Sequence, residues 1–67
     1  MTAYRLLTGD DSSAFCHKVT EALWRGWSLY GDPSYAHDPA SGTMRCAQAV
    51  VKEVAEPYSP ETRLGAL

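Results

Sequence analysis

The stretch TMRCAQAVVKEV, residues 43–54, constrains this chain more than any other. Read as a strand, it places Met44, Cys46, Gln48 and Val50 on one face and Arg45, Ala47, Ala49 and Val51 on the other. Both sets are largely apolar. An antiparallel sheet with one wet face alternates apolar and polar residues, so two apolar faces call for cover on both sides. The rest of the chain must supply a layer over one face and something over the second.

Upstream, AYRLLTG at 3–9 alternates as a first strand closed by Gly9. DDSS at 10–13 then offers several N-cap residues and puts acid at the positive end of a helix over about residues 12–25. With Phe15 at zero and about 100° per residue, Ala22, Val19, Leu23, Gly26 and Cys16 fall in one arc, the expected buried stripe. Trp24 and His17 project to the opposite side. Gly26 is a natural C′ residue, after which Trp27, Ser28, Leu29 and Tyr30 read as a second strand with Trp27 in the core. Gly31-Asp32-Pro33 interrupts that strand and assigns it to a sheet edge, because proline removes a ladder donor. Residues 34–37 resume it, and Asp38-Pro39-Ala40-Ser41-Gly42 is a turn into residues 43–54.

The order is β-α-β-β, an α+β half of a ferredoxin-like unit: a three-stranded sheet with residues 43–54 central and one helix on one face. Residues 1–54 form the domain, and 55–67 a tail, docked or flexible, with a helix start at Ser59-Pro60-Glu61 and Tyr58, Leu64 and Leu67 as docking residues. One helix covers one face. The second face meets either the tail or another subunit, and a chain of 67 residues needs such extra burial to offset its entropy.

Chemistry is sparse. Cys16, His17, His37 and Cys46 are the only metal-type set, but adjacent helical residues diverge by about 100° and no Cys-x-x-Cys is present, so no metal is expected. A nucleophilic role for Cys16 lacks a recognisable orienting partner. Asp10 and Asp11 repel phosphate from the helix start, and neither a G-x-G-x-x-G nor a Walker spacing occurs, so no nucleotide cofactor is expected. Six basic residues against eight acidic ones, scattered along the chain, make no nucleic-acid surface. No apolar run approaches a membrane span. Two cysteines, and a start without an apolar signal core, read as a cytoplasmic chain with free thiols.

Taken together, YRLLTG at 4–9, FCHKVTEAL at 15–23, GWSLYG at 26–31, the Asp38-Pro39-x-x-Gly42 turn and QAVVKEV at 48–54 resemble domain of unknown function family 1737, a group of short bacterial and phage domains. The resemblance covers roughly residues 3–54. It implies no activity, cofactor or catalytic residue. Ser28 departs from the glutamate expected there, and Trp24 stands where the pattern is usually polar.

Three functions fit these residues. The first is a non-enzymatic homo-oligomeric module, associating through an open sheet face around Met44, Cys46, Gln48 and Val50, with Trp24 and His17 on a further contact patch. The second is a small-molecule or minor enzymatic site between subunits, built from His17, Cys16 or His37. The third is an accessory subunit for a different protein. The first is the reading adopted, with no catalytic residue assigned.

Overall fold

The computed structural model describes residues 1–67. In chain order these form β1 (Thr2–Asp10), α1 (Ser13–Trp24), β2 (Ser28–Asp38), β3 (Thr43–Glu53) and a short 3-10 turn at Leu64–Ala66. The strands make one antiparallel sheet in the order β1-β3-β2. The α+β arrangement expected from the sequence is therefore the fold, with β3 between the other two and α1 on one face.

The end of α1 explains why two tryptophans three residues apart part company. Trp27 N–H donates to Ala22 O at 3.0 Å and Gly26 N–H to Leu23 O at 3.1 Å. This pair of bonds closes the helix in a Schellman motif and needs a left-handed residue at C′, which Gly26 supplies with φ of 97°. The apolar contact of that motif is Trp27 against Ala22, and both are buried. Trp24, one turn earlier, points away and is 88% exposed.

At the other end of α1, Ser12 is the N-cap but makes no side-chain capping bond. The neighbouring acids do not cap either, contrary to the sequence expectation. Asp10 pairs with Arg45 at 2.7 Å, and Asp11 accepts the Tyr35 hydroxyl proton in a hydrogen bond. Cross-strand partners opposite the end of β1 outcompete the helix for these carboxylates.

The helix lies on the face formed by Ala3, Arg5, Leu7 and Gly9 of β1 and by the even-numbered residues of β3. The register fixes this, since Leu7 pairs with Gln48 and Arg5 with Val50. Ala3, Leu7, Ala22, Trp27 and Val50 are the buried apolar core, with Phe15 and Val19 packed against it. Small residues allow the close approach: a Cβ on Gly9 would stand 3.0 Å from the Phe15 ring. The buried arc of α1 is narrower than the periodicity implies. Leu23 and Cys16, at its margin, are exposed, because α1 touches β2 only loosely and leaves an open groove beside it.

β2 pairs with β3 from Ser28↔Val51 to Tyr30↔Ala49, then resumes at Ser34↔Ala47. Three residues, Gly31, Asp32 and Pro33, thus stand opposite Gln48 alone. Gly31 turns the chain outward with φ of 70°, and Pro33 has no N–H to lose. The buried Gln48 amide supplies what the ladder lacks there, its Nε2 lying 3.3 Å from Tyr30 O, 3.4 Å from Gly31 O and 2.9 Å from Ala49 O.

The tail does not form a helix from Ser59. Ser59 O accepts Thr62 N–H at 3.0 Å, and Ser59 Oγ accepts Glu61 N–H at 3.3 Å, a local turn that competes with helix propagation. Leu64 and Leu67 then pack against the core, and Lys52 Nζ donates to Leu67 O at 2.7 Å and to Arg25 O at 2.9 Å. Lys52 shares the parity of Val50. The docked end of the tail therefore joins the helix layer, while Tyr58 is exposed.

Candidate functional site

The residue parity of the sheet overturns one expectation. Met44, Cys46, Gln48 and Val50 do not form the open face: Val50 is 0% exposed and Gln48 is buried, both beneath α1. Met44 and Cys46 share their parity and extend it past the start of α1, half-buried. The open face belongs to the other parity. It carries Tyr4, Leu6 and Thr8 from β1, Ala47, Ala49 and Val51 from β3, and Ser28 and Tyr30 from β2, placed side by side by Tyr4↔Val51↔Ser28 and Leu6↔Ala49↔Tyr30.

These two rows make an apolar patch. Tyr4 is 52%, Leu6 54% and Tyr30 63% exposed, around the small Ala49 and the half-buried Val51. Its charges are confined to the ends and are paired there. Arg45 meets Asp10 at one end, and at the other Glu53 accepts Thr2 Oγ1 at 2.6 Å and lies 3.8 Å from the Met1 amine. A face of two tyrosines and a leucine with no charge in its middle is suited to excluding water against a matching surface.

Trp24 and His17 are exposed on the outer side of α1, about 10 Å apart along its axis. That side and the open sheet face lie on opposite sides of a two-layered molecule. The structure thus divides the expected patch: Trp24 and His17 on one side, Gln48 and Val50 buried between layers with Met44 and Cys46 half-buried beyond them, and the apolar sheet face on the far side. Sequence reading missed Tyr4, Leu6 and Tyr30. A usable signal was present in Ala3 and Gly9, because small residues on one parity of β1 mark the side that a helix approaches.

Titrating groups offer little for catalysis. Partial desolvation pushes the Cys46 thiol up, and nearby Asp11 adds to the effect, so its thiolate is disfavoured. Cys16 is an exposed free thiol. No three of the His, Cys, Asp and Glu side chains come close enough to hold a metal ion. A groove of about 310 Å³ between α1 and β2, with Phe15, Val19, Leu29 and Pro33 on its walls and Gln48 on its floor, is apolar but shallow. No helix is long and apolar enough to cross a membrane.

The Tyr35 contact depends on pH. Its hydrogen bond to Asp11, with desolvation and the carboxylate charge, raises its pKa above the ordinary 10.0. A folded-state value above the unfolded one means that the contact contributes fully below pH 10 and is lost as pH rises through the folded value. Ultraviolet difference titration should show a late phenolate component, and Tyr35→Phe should remove it. Absence of any component above the ordinary phenol range would contradict the contact.

A model of the family described as Domain of unknown function (DUF1737) matches residues 1–53, which is β1 to β3 entire. No curated protein and no solved structure matches the chain.

Proposed function

We propose that this chain, which belongs to the family described as Domain of unknown function (DUF1737), is a non-enzymatic module that self-associates through the open face of its sheet. The observation that carries this reading is the row of exposed Tyr4, Leu6 and Tyr30 around Ala49 and Val51, on a face that neither α1 nor the docked tail covers.

The occupant is a second copy. Only six of 67 residues are buried within one chain, so the fold gains from apolar area removed from water by a neighbour. Two such faces pack as sheets do in a sandwich, about 10 Å apart, with side chains of each entering the gaps left by the small residues of the other. The central alanines, Ala47 and Ala49, leave such gaps. Because Asp10 and Arg45 already neutralise each other, bringing two identical faces together strands no lone charge at the centre. His17 and Trp24, on the outer side of α1, stay outside this contact and remain available to a different protein.

Tyr30→Asp places a charge in the middle of the patch on a side chain that is mostly exposed in the single chain. The fold should persist by far-ultraviolet circular dichroism, while the dissociation constant from sedimentation equilibrium weakens by about 30-fold or more, the effect of losing a central aromatic contact. Leu6→Lys should act alike. A wild-type mass of one chain at micromolar concentration would sink the proposal.

A further inference from the structure

We infer that the chain has a second contact, independent of the open face: the outer edge of β1 pairs antiparallel with β1 of another copy, Tyr4 against Tyr4, joining two three-stranded sheets into one of six strands.

The two edges of the sheet are built differently. β2 is guarded. It is broken by the Gly31-Asp32-Pro33 bulge, which removes a donor and interrupts the run of paired positions. β1 runs for nine residues with no proline and no shift in its register against β3. Its outward-leaning charges are few: Arg5 is held over the Trp27 ring, 5.5 Å from its centre.

The ladder shows which backbone groups are free. Val54 N–H donates to Met1 O, and Asp11 N–H donates to Met44 O. Hydrogen-bonded pairs in an antiparallel ladder recur every second residue, so the odd positions of β1 spend both their groups on β3. The even positions, Thr2, Tyr4, Leu6, Thr8 and Asp10, turn theirs outward. Two of these are already engaged: Thr8 O accepts Lys18 Nζ at 2.7 Å, and Asp10 O accepts Ser12 Oγ at 3.5 Å. The tail's turn at Leu64–Ala66 touches β1 from the side of α1, where Gly65 lies beside Arg5 and Lys18, but none of the tail's backbone bonds ends on Thr2, Tyr4 or Leu6. The free stretch is therefore Thr2 to Leu6.

One two-fold register uses this stretch and nothing else. Tyr4 opposite Tyr4 of the second copy, with Thr2 opposite Leu6 on either side, satisfies the N–H and C=O of all three residues in both chains. It sets the tyrosines as a cross-strand aromatic pair on the open face and places Arg5 beside Ala3 of the other copy. Moving the register by two residues would put Arg5 against Arg5, a repulsive pairing. Because each chain has one edge with free backbone groups at Thr2 to Leu6 and one edge interrupted by a bulge, pairing stops at two copies, with β2 outermost on both sides, and no fibre can grow.

Pairing also enlarges the open face. A three-stranded face of about ten residues per strand projects roughly 500 Å², below the ~800 Å² of accessible area per partner in a standard interface. Two sheets joined at β1 present twice that. Edge pairing and face packing together yield a four-chain assembly, but each rests on its own residues and each can fail alone.

Residue-resolved amide exchange tests the edge. In the Tyr30→Asp chain, whose face contact is disabled, the Tyr4 and Leu6 amides should exchange about 100-fold more slowly at high than at low protein concentration, as groups released only on opening do. The solution mass should correspond to two chains. Chemical synthesis with an N-methylated Tyr4 peptide bond keeps every side chain and should return that mass to one, with the Arg5 and Leu7 amides still protected in the intact β1–β3 ladder. Oligomers in which the Tyr4 and Leu6 amides exchange freely would overturn the edge while leaving the face contact standing. A Tyr30→Asp chain of unchanged mass with those amides protected would do the reverse.

Discussion

Trp27→Ala is expected to lower the urea midpoint by a third or more, while Trp24→Ala should barely move it. Trp27 is 3% exposed, touches the core formed by Ala3, Leu7, Ala22 and Val50, carries Arg5 over its ring and makes the apolar contact of the helix C-cap. Removing a buried tryptophan costs about 3–5 kcal/mol. A domain of this length has a total stability of about 3–10 kcal/mol, so the loss is about a third of it at the least. Trp24, at 88% exposure, has no comparable contact, and a surface substitution of this kind shifts stability by about 0.5 kcal/mol or less. Urea titrations followed by far-ultraviolet circular dichroism, at concentrations low enough to suppress association, separate the two. Equal effects would mean that the helix does not end at Gly26 as described.

That division was legible in the sequence because it depends on local chemistry. Gly26 is the residue that can take a left-handed conformation at the end of α1, and everything before it follows helical periodicity while everything after it alternates. The same holds for the hairpin turn: Asp38 Oδ1 accepts Ala40 N–H at 3.0 Å, and Gly42 closes the turn with φ of 71°. Pro33 marked β2 as an edge strand for a similarly local reason. Where one residue's backbone preference decides the outcome, a single sequence suffices.

The choice of open face was not legible in this way. Both parities of β3 are apolar, and which one meets α1 depends on where the crossover from β1 sets the helix, a tertiary matter that periodicity along β3 cannot decide. Tyr4 and Leu6 look more like core than Ala3 and Arg5 do, yet it is Ala3 and Gly9 that let α1 come close. Bulk favoured the wrong face and small size marked the right one. The acids of β1 behaved similarly: Asp10 and Asp11 have a local role available as caps, but Arg45 and Tyr35, brought alongside only by the sheet, claim them.

Gln48 combines a local and a tertiary role. From the sequence it is a polar residue in the middle of a strand, at home on a solvated face; in the fold it is buried opposite the bulge of β2. Gln48→Leu keeps the volume but removes the only side-chain donor that reaches Tyr30 O and Gly31 O. Tyr30 O keeps its ladder pairing with Ala49, so the cost falls on Gly31 O: a carbonyl left without a partner beside a buried surface costs about 1–3 kcal/mol. Because Gly31 is exposed, water can reach part of the gap, which places the expected loss toward the lower half of that range. Gln48→Glu should be worse at neutral pH, since a carboxylate cannot donate and brings a charge against three carbonyl oxygens, those of Tyr30, Gly31 and Ala49. Burial and those carbonyls favour the protonated acid, so its folded pKa should lie above the ordinary glutamate value. Relative to the parent chain, this variant should therefore regain stability as pH falls through that raised value, where the acid proton again supplies a donor. Urea midpoints for the two variants at neutral and mildly acidic pH make the comparison. If Gln48→Leu matches the parent chain, the bulge is held by Gly31 and Pro33 alone and the amide merely fills space.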